Sequence, residues 1–116
     1  ILQVWAGVLA VVLSRELGET SVRALTHALL ERVQATRASD VILDCTGVLR
    51  LDAGEADALV RLVAALRLLG ARATVVGLSA AAAAGLAGGE HALVGARTLQ
   101  TLADALQQVV GLRRGG

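Results

Sequence analysis

The 116-residue chain lacks proline, methionine, lysine, phenylalanine and tyrosine, and it has one tryptophan and one cysteine. The core therefore has to be aliphatic, built from leucine, valine and alanine. A single cysteine, Cys45, excludes a disulfide framework and a cysteine-based zinc site, and it fits a reducing compartment. Without lysine the chain has no Gly-Lys phosphate-binding loop. The scarcity of aromatic residues leaves no stacking platform for single-stranded nucleic acid.

Charge and hydropathy narrow the class of protein further. The net charge of +1 provides no basic field for nucleic acid. A hydrophobic content of 55% with 18% charged residues argues against disorder. The longest stretch without a charged residue, 73–89, holds four glycines and is shorter than a membrane helix requires. Because the chain begins with Ile1 and not Met, we expect a trimmed or partial chain. We expect one soluble cytoplasmic domain without cofactor, metal, nucleic acid or membrane partner.

Hydrophobic periodicity predicts alternating strands and helices. The first two runs are separated by Ala6-Gly7 and predict a β-hairpin. The predicted domain spans residues 1–110, and residues 111–116 are predicted to be a frayed tail. Predicted strands lie at 2–5, 8–13, 40–44, 73–78 and 94–98, and predicted helices at 21–35, 53–69, 80–87 and from 101 onward.

Capping signals mark the helix ends. Thr20 or Ser21 is a candidate N-cap of the first helix. Asp52 followed by Glu55 has the spacing of a capping box, and Gly70 is placed to end the same helix. Ser79 is a candidate N-cap of the third helix.

Strands that alternate with helices favour parallel pairing, and the loops after such strands carry function. That rule points to residues 44–53. Nothing in the chain has the pattern of a catalytic site. His27 and His91 are better interpreted as surface residues and Cys45 as a core thiol, while Asp44 and Asp52 fit roles in a turn and a cap. We therefore expect a protein that is not an enzyme.

The segment from Val41 to Ala53 reads VILDCTGVLRLDA, and it resembles the signature of STAS domains, the anti-sigma-factor antagonist family. That signature is an apolar strand, then Asp-x-Ser/Thr-Gly-Val, then an apolar-Asp-Ser/Thr step into a helix. Residues 1–5, 68–71, 76–79 and 97–102 are similar to the stressosome branch of the family, the RsbR/RsbS-like proteins. The resemblance implies the α/β STAS fold, with a mixed sheet of four to five strands and about four helices.

The resemblance also implies a phosphorylation switch. In the family a Ser or Thr after the second Asp is phosphorylated by a switch kinase, and here Ala53 occupies that position. The surrounding switch loop would comprise Asp44, Thr46, Gly47, Asp52 and Glu55. A second acceptor position precedes the first long helix in the RsbR-like branch. It aligns with Glu19, beside Thr20 and Ser21, and Glu19 either imitates a phosphate there or is a solvated first-turn acid.

Three interpretations of Ala53 stay open: a natural unphosphorylated paralogue, an engineered non-phosphorylatable variant, or an acceptor moved to Thr46, Thr20 or Ser21. The predicted function is a regulatory interaction domain in bacterial stress signalling that binds other STAS domains and a serine/threonine switch kinase. The alternatives are a STAS module of a larger sensor or transporter, or a nucleotide- or small-ligand-binding STAS domain. A mean hydropathy of +0.66 favours assembly. The apolar residues expected to be exposed are Leu62, Leu69, Leu86, Leu93 and Val94.

Overall fold

A computed structural model describes residues 1–13, 19–86, 93, 96–99 and 102–115. Strands and helices alternate along these segments after an initial hairpin. The strands are β1 (Leu2–Trp5), β2 (Val8–Val12), β3 (Asp40–Asp44), β4 (Arg72–Val76) and β5 (Arg97–Leu99). The helices are α1 (Glu19–Thr36), α2 (Ala53–Leu68), α3 (Ala80–Ala84) and α4 (Leu102–Gly115).

The strands form one five-stranded sheet in the order β1-β2-β3-β4-β5. β1 pairs with β2 antiparallel, and the remaining neighbours are parallel. Val12, Asp44 and Val76 lie side by side in register at the carboxyl ends of β2, β3 and β4. The mixed sheet with helices confirms the predicted α/β fold and places the loop after Asp44 at this edge of the sheet.

Two apolar clusters lie on opposite faces of the sheet. The larger one joins β2, β3 and β4 to α1 and α2, with Leu29, Leu43 and Leu59 among its fully buried members. The smaller one joins Val8, Ile42 and Val76 to Ala105 and Val109 of α4. Every large side chain in both clusters is aliphatic, as the composition requires. No helix of the described segments combines the length and apolarity needed to cross a bilayer.

Several boundaries differ from the prediction. α1 begins at Glu19, so Thr20 and Ser21 lie in its first turn and the prediction that one of them is the N-cap is wrong. β4 ends at Val76 because Gly77 has a φ of +70° and leaves the extended conformation. α3 ends at Ala84, earlier than predicted.

At the C-terminal end, β5 covers 97–99 where 94–98 was predicted. α4 continues to Gly115, past the residue where we placed the start of a frayed tail.

The predicted set of exposed apolar residues is largely wrong. Leu62, Leu86 and Leu93 are buried, whereas Leu69 is exposed as predicted. Val94 and His91 lie outside the described residues. Leu62 is covered because α2 packs against both α1 and β4, which widens its buried stripe. Within the described residues, the large apolar side chains that are exposed are those of Ile1, Leu2, Trp5, Val12, Leu49, Leu68 and Leu69.

Candidate functional site

The loop between β3 and α2 is anchored to the sheet on both sides. The amide of Cys45 donates to the carbonyl of Val76 at 2.7 Å, and the amide of Leu13 donates to the carbonyl of Asp44 at 2.9 Å. The loop therefore starts from a fixed position at the carboxyl edge of the sheet, where the strand order predicts functional residues.

Asp44 and Thr46 form a tight polar turn at the start of this loop. One carboxylate oxygen of Asp44 accepts from the Thr46 amide at 3.0 Å and from the Thr46 hydroxyl at 2.6 Å. Gly77 lies against this turn, and a Cβ there would overlap the Thr46 hydroxyl oxygen. The Thr46 hydroxyl is thus committed to a turn, as its residue type favours, and Asp44 is engaged separately from Asp52.

α2 begins with the predicted capping box. The Asp52 carboxylate accepts from the Glu55 amide at 2.8 Å, and the Glu55 carboxylate accepts from the Asp52 amide at 3.0 Å. This reciprocal pair satisfies two backbone donors that the helix itself leaves unbonded. It also holds the next residue, Ala53, as the first residue of α2, with an exposed methyl group.

The middle of the loop is held by burial and by a second glycine contact. Val48 and Leu51 are buried. Gly85 is the C-cap residue of α3, and a Cβ at this position would overlap the Leu51 carbonyl oxygen. Leu49 lies between these two buried residues in the sequence and is itself 57% exposed. Arg50, Asp52 and Ala53 are also exposed. These four residues, 49, 50, 52 and 53, form what we call the switch surface.

Cys45 is unsuited to act as a nucleophile. Its thiol is buried. Burial, with a smaller contribution from the Asp44 carboxylate, raises the pKa of the Cys45 thiol to about 12. Since the thiolate is the reactive form, the buried position agrees with the prediction of a core thiol.

The second predicted switch position lies in the first turn of α1. The backbones of Glu19, Thr20 and Ser21 are all helical, and Ser21 is exposed. The side chains of Glu19 and Thr20 lie outside the described residues. Helical backbone at this place is favourable for an acidic group, because the N-terminal end of a helix carries partial positive charge.

Two clefts lie away from the switch surface. One, of about 250 Å³, lies between α1 and α2 and is lined by Arg23, Thr26, His27, Asp57, Ala58 and Arg61. The other, of about 320 Å³, is near the C-terminal ends of α1 and α2. Neither cleft includes a residue of the 44–53 loop, which the ligand-binding alternative requires. In the described segments, no three His, Cys, Asp or Glu side chains converge as a metal site needs.

Comparison with known protein families gives a match over most of the chain. The model of the STAS domain family matches residues 2–105. The chain belongs to the STAS domain family. This match spans both the switch surface and the first turn of α1, and membership of the family points to a regulatory, non-enzymatic domain, as predicted.

Solved structures share the same fold at low sequence identity. A serine-to-glutamate variant of RsbS from Moorella thermoacetica has a TM-score of 0.81 at 21% identity, covering 97% of this chain and 96% of that chain. A structure described as the molecular architecture of the stressosome, a signal integration and transduction hub, has a TM-score of 0.82 at 22% identity, covering 97% of each chain. The protein TM1081, solved by NMR, has a TM-score of 0.75 at 12% identity, covering 92% of this chain and 85% of that chain. No curated protein sequence is significantly similar to the chain.

Two residues outside the loop that pack against it were not predicted from the sequence. Gly77 and Gly85 come from elements that follow the loop in sequence, and both allow a close approach to it. A glycine inside the predicted strand 73–78 was the available signal for Gly77. The exposure of Leu49 had no signal, because an apolar residue between Val48 and Leu51 has the pattern of a core residue.

Proposed function

We propose that this STAS domain is a non-enzymatic protein–protein interaction domain of bacterial stress signalling, of the stressosome RsbR/RsbS-like branch. It works in the cytoplasm, where it binds other STAS domains and a serine/threonine switch kinase. The observation that carries the proposal is the exposed Ala53 methyl group at the first position of α2, directly after the Asp52 capping box. The proteins of similar fold described as RsbS and as a stressosome support this branch.

Ala53 makes the switch silent at this position. A kinase transfers a phosphoryl group to a hydroxyl oxygen, and the alanine side chain has none. The kinase can therefore dock on the switch surface without a phosphate being added at residue 53. Thr46, Thr20 and Ser21 remain the other candidate acceptors, and Thr46 is the least suited because its hydroxyl is bonded to Asp44.

The charge around Ala53 explains why phosphorylation there would alter partner binding. Asp52 and Glu55 flank the residue along the chain, and their carboxylates are held by the capping box. A phosphate adds about −1.5 to −2 charges at neutral pH. Like charges at an interface oppose docking. With alanine in place, the surface stays permanently in the form that lacks this added charge.

Kinase binding to charge variants of residue 53 tests the proposal. The variants are Ala53→Glu and the control Ala53→Gln, which has the same length without the charge. We expect the native chain and Ala53→Gln to bind the switch kinase of the same genome equally. We expect Ala53→Glu to bind about tenfold more weakly, which corresponds to about 1.4 kcal/mol. Titration by biolayer interferometry gives the three affinities. Equal binding by all three chains, or no binding by the native chain, would contradict the proposal.

A further inference from the structure

The cleft between α1 and α2 collects basic side chains from both helices. Among the described residues that line it, Arg23 and His27 lie one turn apart on α1, and Arg61 lies on α2. Asp57 is the one acidic residue of this lining. Side chains four residues apart on a helix are neighbours on one face. The two helices therefore present charged faces to each other across a space of about 250 Å³.

The hydrogen-bond donors of this cleft belong to guanidinium and imidazole groups. The Thr26 hydroxyl donates its hydrogen to the carbonyl of Val22 at 2.7 Å, so it is already engaged. A guanidinium has five N–H donors and no acceptor, and a histidine ring has at least one N–H donor in either protonation state. Arg23, His27 and Arg61 can thus surround a single group of acceptor oxygens from two helices.

The ion pair inside the cleft is easily exchanged. Nε of Arg61 lies 3.0 Å from a carboxylate oxygen of Asp57, and the two side chains are 73% and 61% exposed. Such an exposed pair contributes little to stability, so replacing it by a contact with another anion costs little. Two guanidinium groups against one carboxylate also leave an excess of positive charge in this lining.

We propose that this cleft binds a phosphate group, either as inorganic phosphate or as part of a small phosphate monoester. The planar guanidinium group binds phosphate oxygens through two parallel hydrogen bonds, and the cleft has two such groups. Ala58, a buried residue with a small side chain, lines the cleft and leaves room between the helices. The volume lies below the roughly 300 Å³ at which pockets for drug-sized ligands begin, which favours a compact ligand over a nucleotide. The site is separate from the switch surface, so the inference goes beyond the proposed function.

Heteronuclear NMR titration of the native chain tests the site, with inorganic phosphate and glycerol 3-phosphate as the probes. The readouts are the backbone amides of residues 23–27 and 57–61 and the guanidinium Nε–Hε signals of Arg23 and Arg61. Because Arg23, Asp57 and Arg61 are exposed and salt screens exposed charges, we expect a dissociation constant on the order of a millimolar. Sodium chloride at the same ionic strength controls for a general effect of salt.

Two arginines of α2 provide a matched pair of variants. Arg61→Gln removes a donor of the cleft, whereas the control Arg67→Gln makes the same change of charge at an exposed residue outside the lining. Asp57→Asn removes the carboxylate that competes for Arg61. The dispersion of the amide signals shows that each variant is folded.

We expect both probes to shift the cleft signals with saturation. Arg61→Gln should weaken binding about fivefold, because a hydrogen bond to a charged group is lost, while Arg67→Gln should bind as the native chain does. Asp57→Asn should bind more tightly than the native chain. Tighter binding of glycerol 3-phosphate than of inorganic phosphate would assign the site to a monoester, and equal or weaker binding would assign it to free phosphate.

Three results would overturn the proposal. The first is the absence of a saturable shift at probe concentrations of about 20 mM, well above the expected dissociation constant. The second is an equal shift with sodium chloride, which would show a general effect of salt only. The third is equal weakening by Arg61→Gln and Arg67→Gln, which would show a response to net charge and not to the cleft.

Discussion

Replacing Gly77 by alanine should disturb the switch loop through the Thr46 turn. The Gly77 backbone has a φ of +70°, and a Cβ at that position would overlap the Thr46 hydroxyl oxygen and lie 3.0 Å from the Thr46 Cα. Gly70 offers a matched control. Its φ of +83° imposes a similar backbone strain, but a Cβ there has no neighbouring atom within 4 Å.

The two substitutions differ by the cost of the overlap. An alanine in the left-handed region costs about 1–2 kcal/mol, which both variants share. Overpacking at Gly77 adds about 1–3 kcal/mol. We therefore expect Gly70→Ala to lower the free energy of unfolding by about 1 kcal/mol and Gly77→Ala by about 3 kcal/mol.

Urea denaturation of the two variants measures this difference. The overlap also predicts coupling with Thr46. In a Thr46→Ala background, Gly77→Ala should cost less than it does in the native chain, because the hydroxyl that it meets is gone. Equal losses for Gly70→Ala and Gly77→Ala, with no coupling to residue 46, would refute the idea that Gly77 supports the loop by close approach.

Two further predictions concern the cap and the thiol. Asp52→Ala should lower the free energy of unfolding by about 1 kcal/mol in urea denaturation, because the Glu55 amide loses its acceptor. Cys45, with a pKa of about 12, should resist iodoacetamide at pH 8 until urea unfolds the chain. The Cys45 thiol stays protonated in the folded state, whereas in the unfolded state it ionises near pH 8.5. The stability that comes from this difference in pKa is therefore present below pH 8.5 and is lost as pH rises towards 12. Rapid labelling of the native chain, or an unchanged stability of Asp52→Ala, would contradict these predictions.

Local signals were sufficient for much of the fold. Asp52 and Glu55 predict a helix start because the capping box depends only on residues three apart, and the structure has both of its hydrogen bonds. The strand at 40–44 was predicted from its short apolar run, and the structure has the same bounds. The position of Ala53 at the start of α2 follows from the same spacing.

Features that depend on tertiary packing were predicted less well. Leu62 was expected to be exposed because the periodicity of α2 does not tell how many elements cover it. The structure buries it completely, since α2 packs against both α1 and the sheet. Conversely, Leu2 and Val12 have the pattern of core residues, but both are exposed, since Leu2 lies on the edge strand β1 and Val12 is the last residue of β2. Edge position is a property of the whole sheet and has no local signal.

The central proposal is that this STAS domain has a kinase-docking surface and lacks an acceptor hydroxyl at residue 53. Intact mass after incubation with the switch kinase and ATP tests it most directly, with the native chain and Ala53→Ser side by side. The account predicts one added phosphate on Ala53→Ser and none on the native chain. A phosphate on the native chain would contradict the proposal and place the acceptor elsewhere, with peptide mapping to locate it among Thr46, Thr20 and Ser21. The absence of phosphate on both chains would contradict the proposal that the docking surface is present.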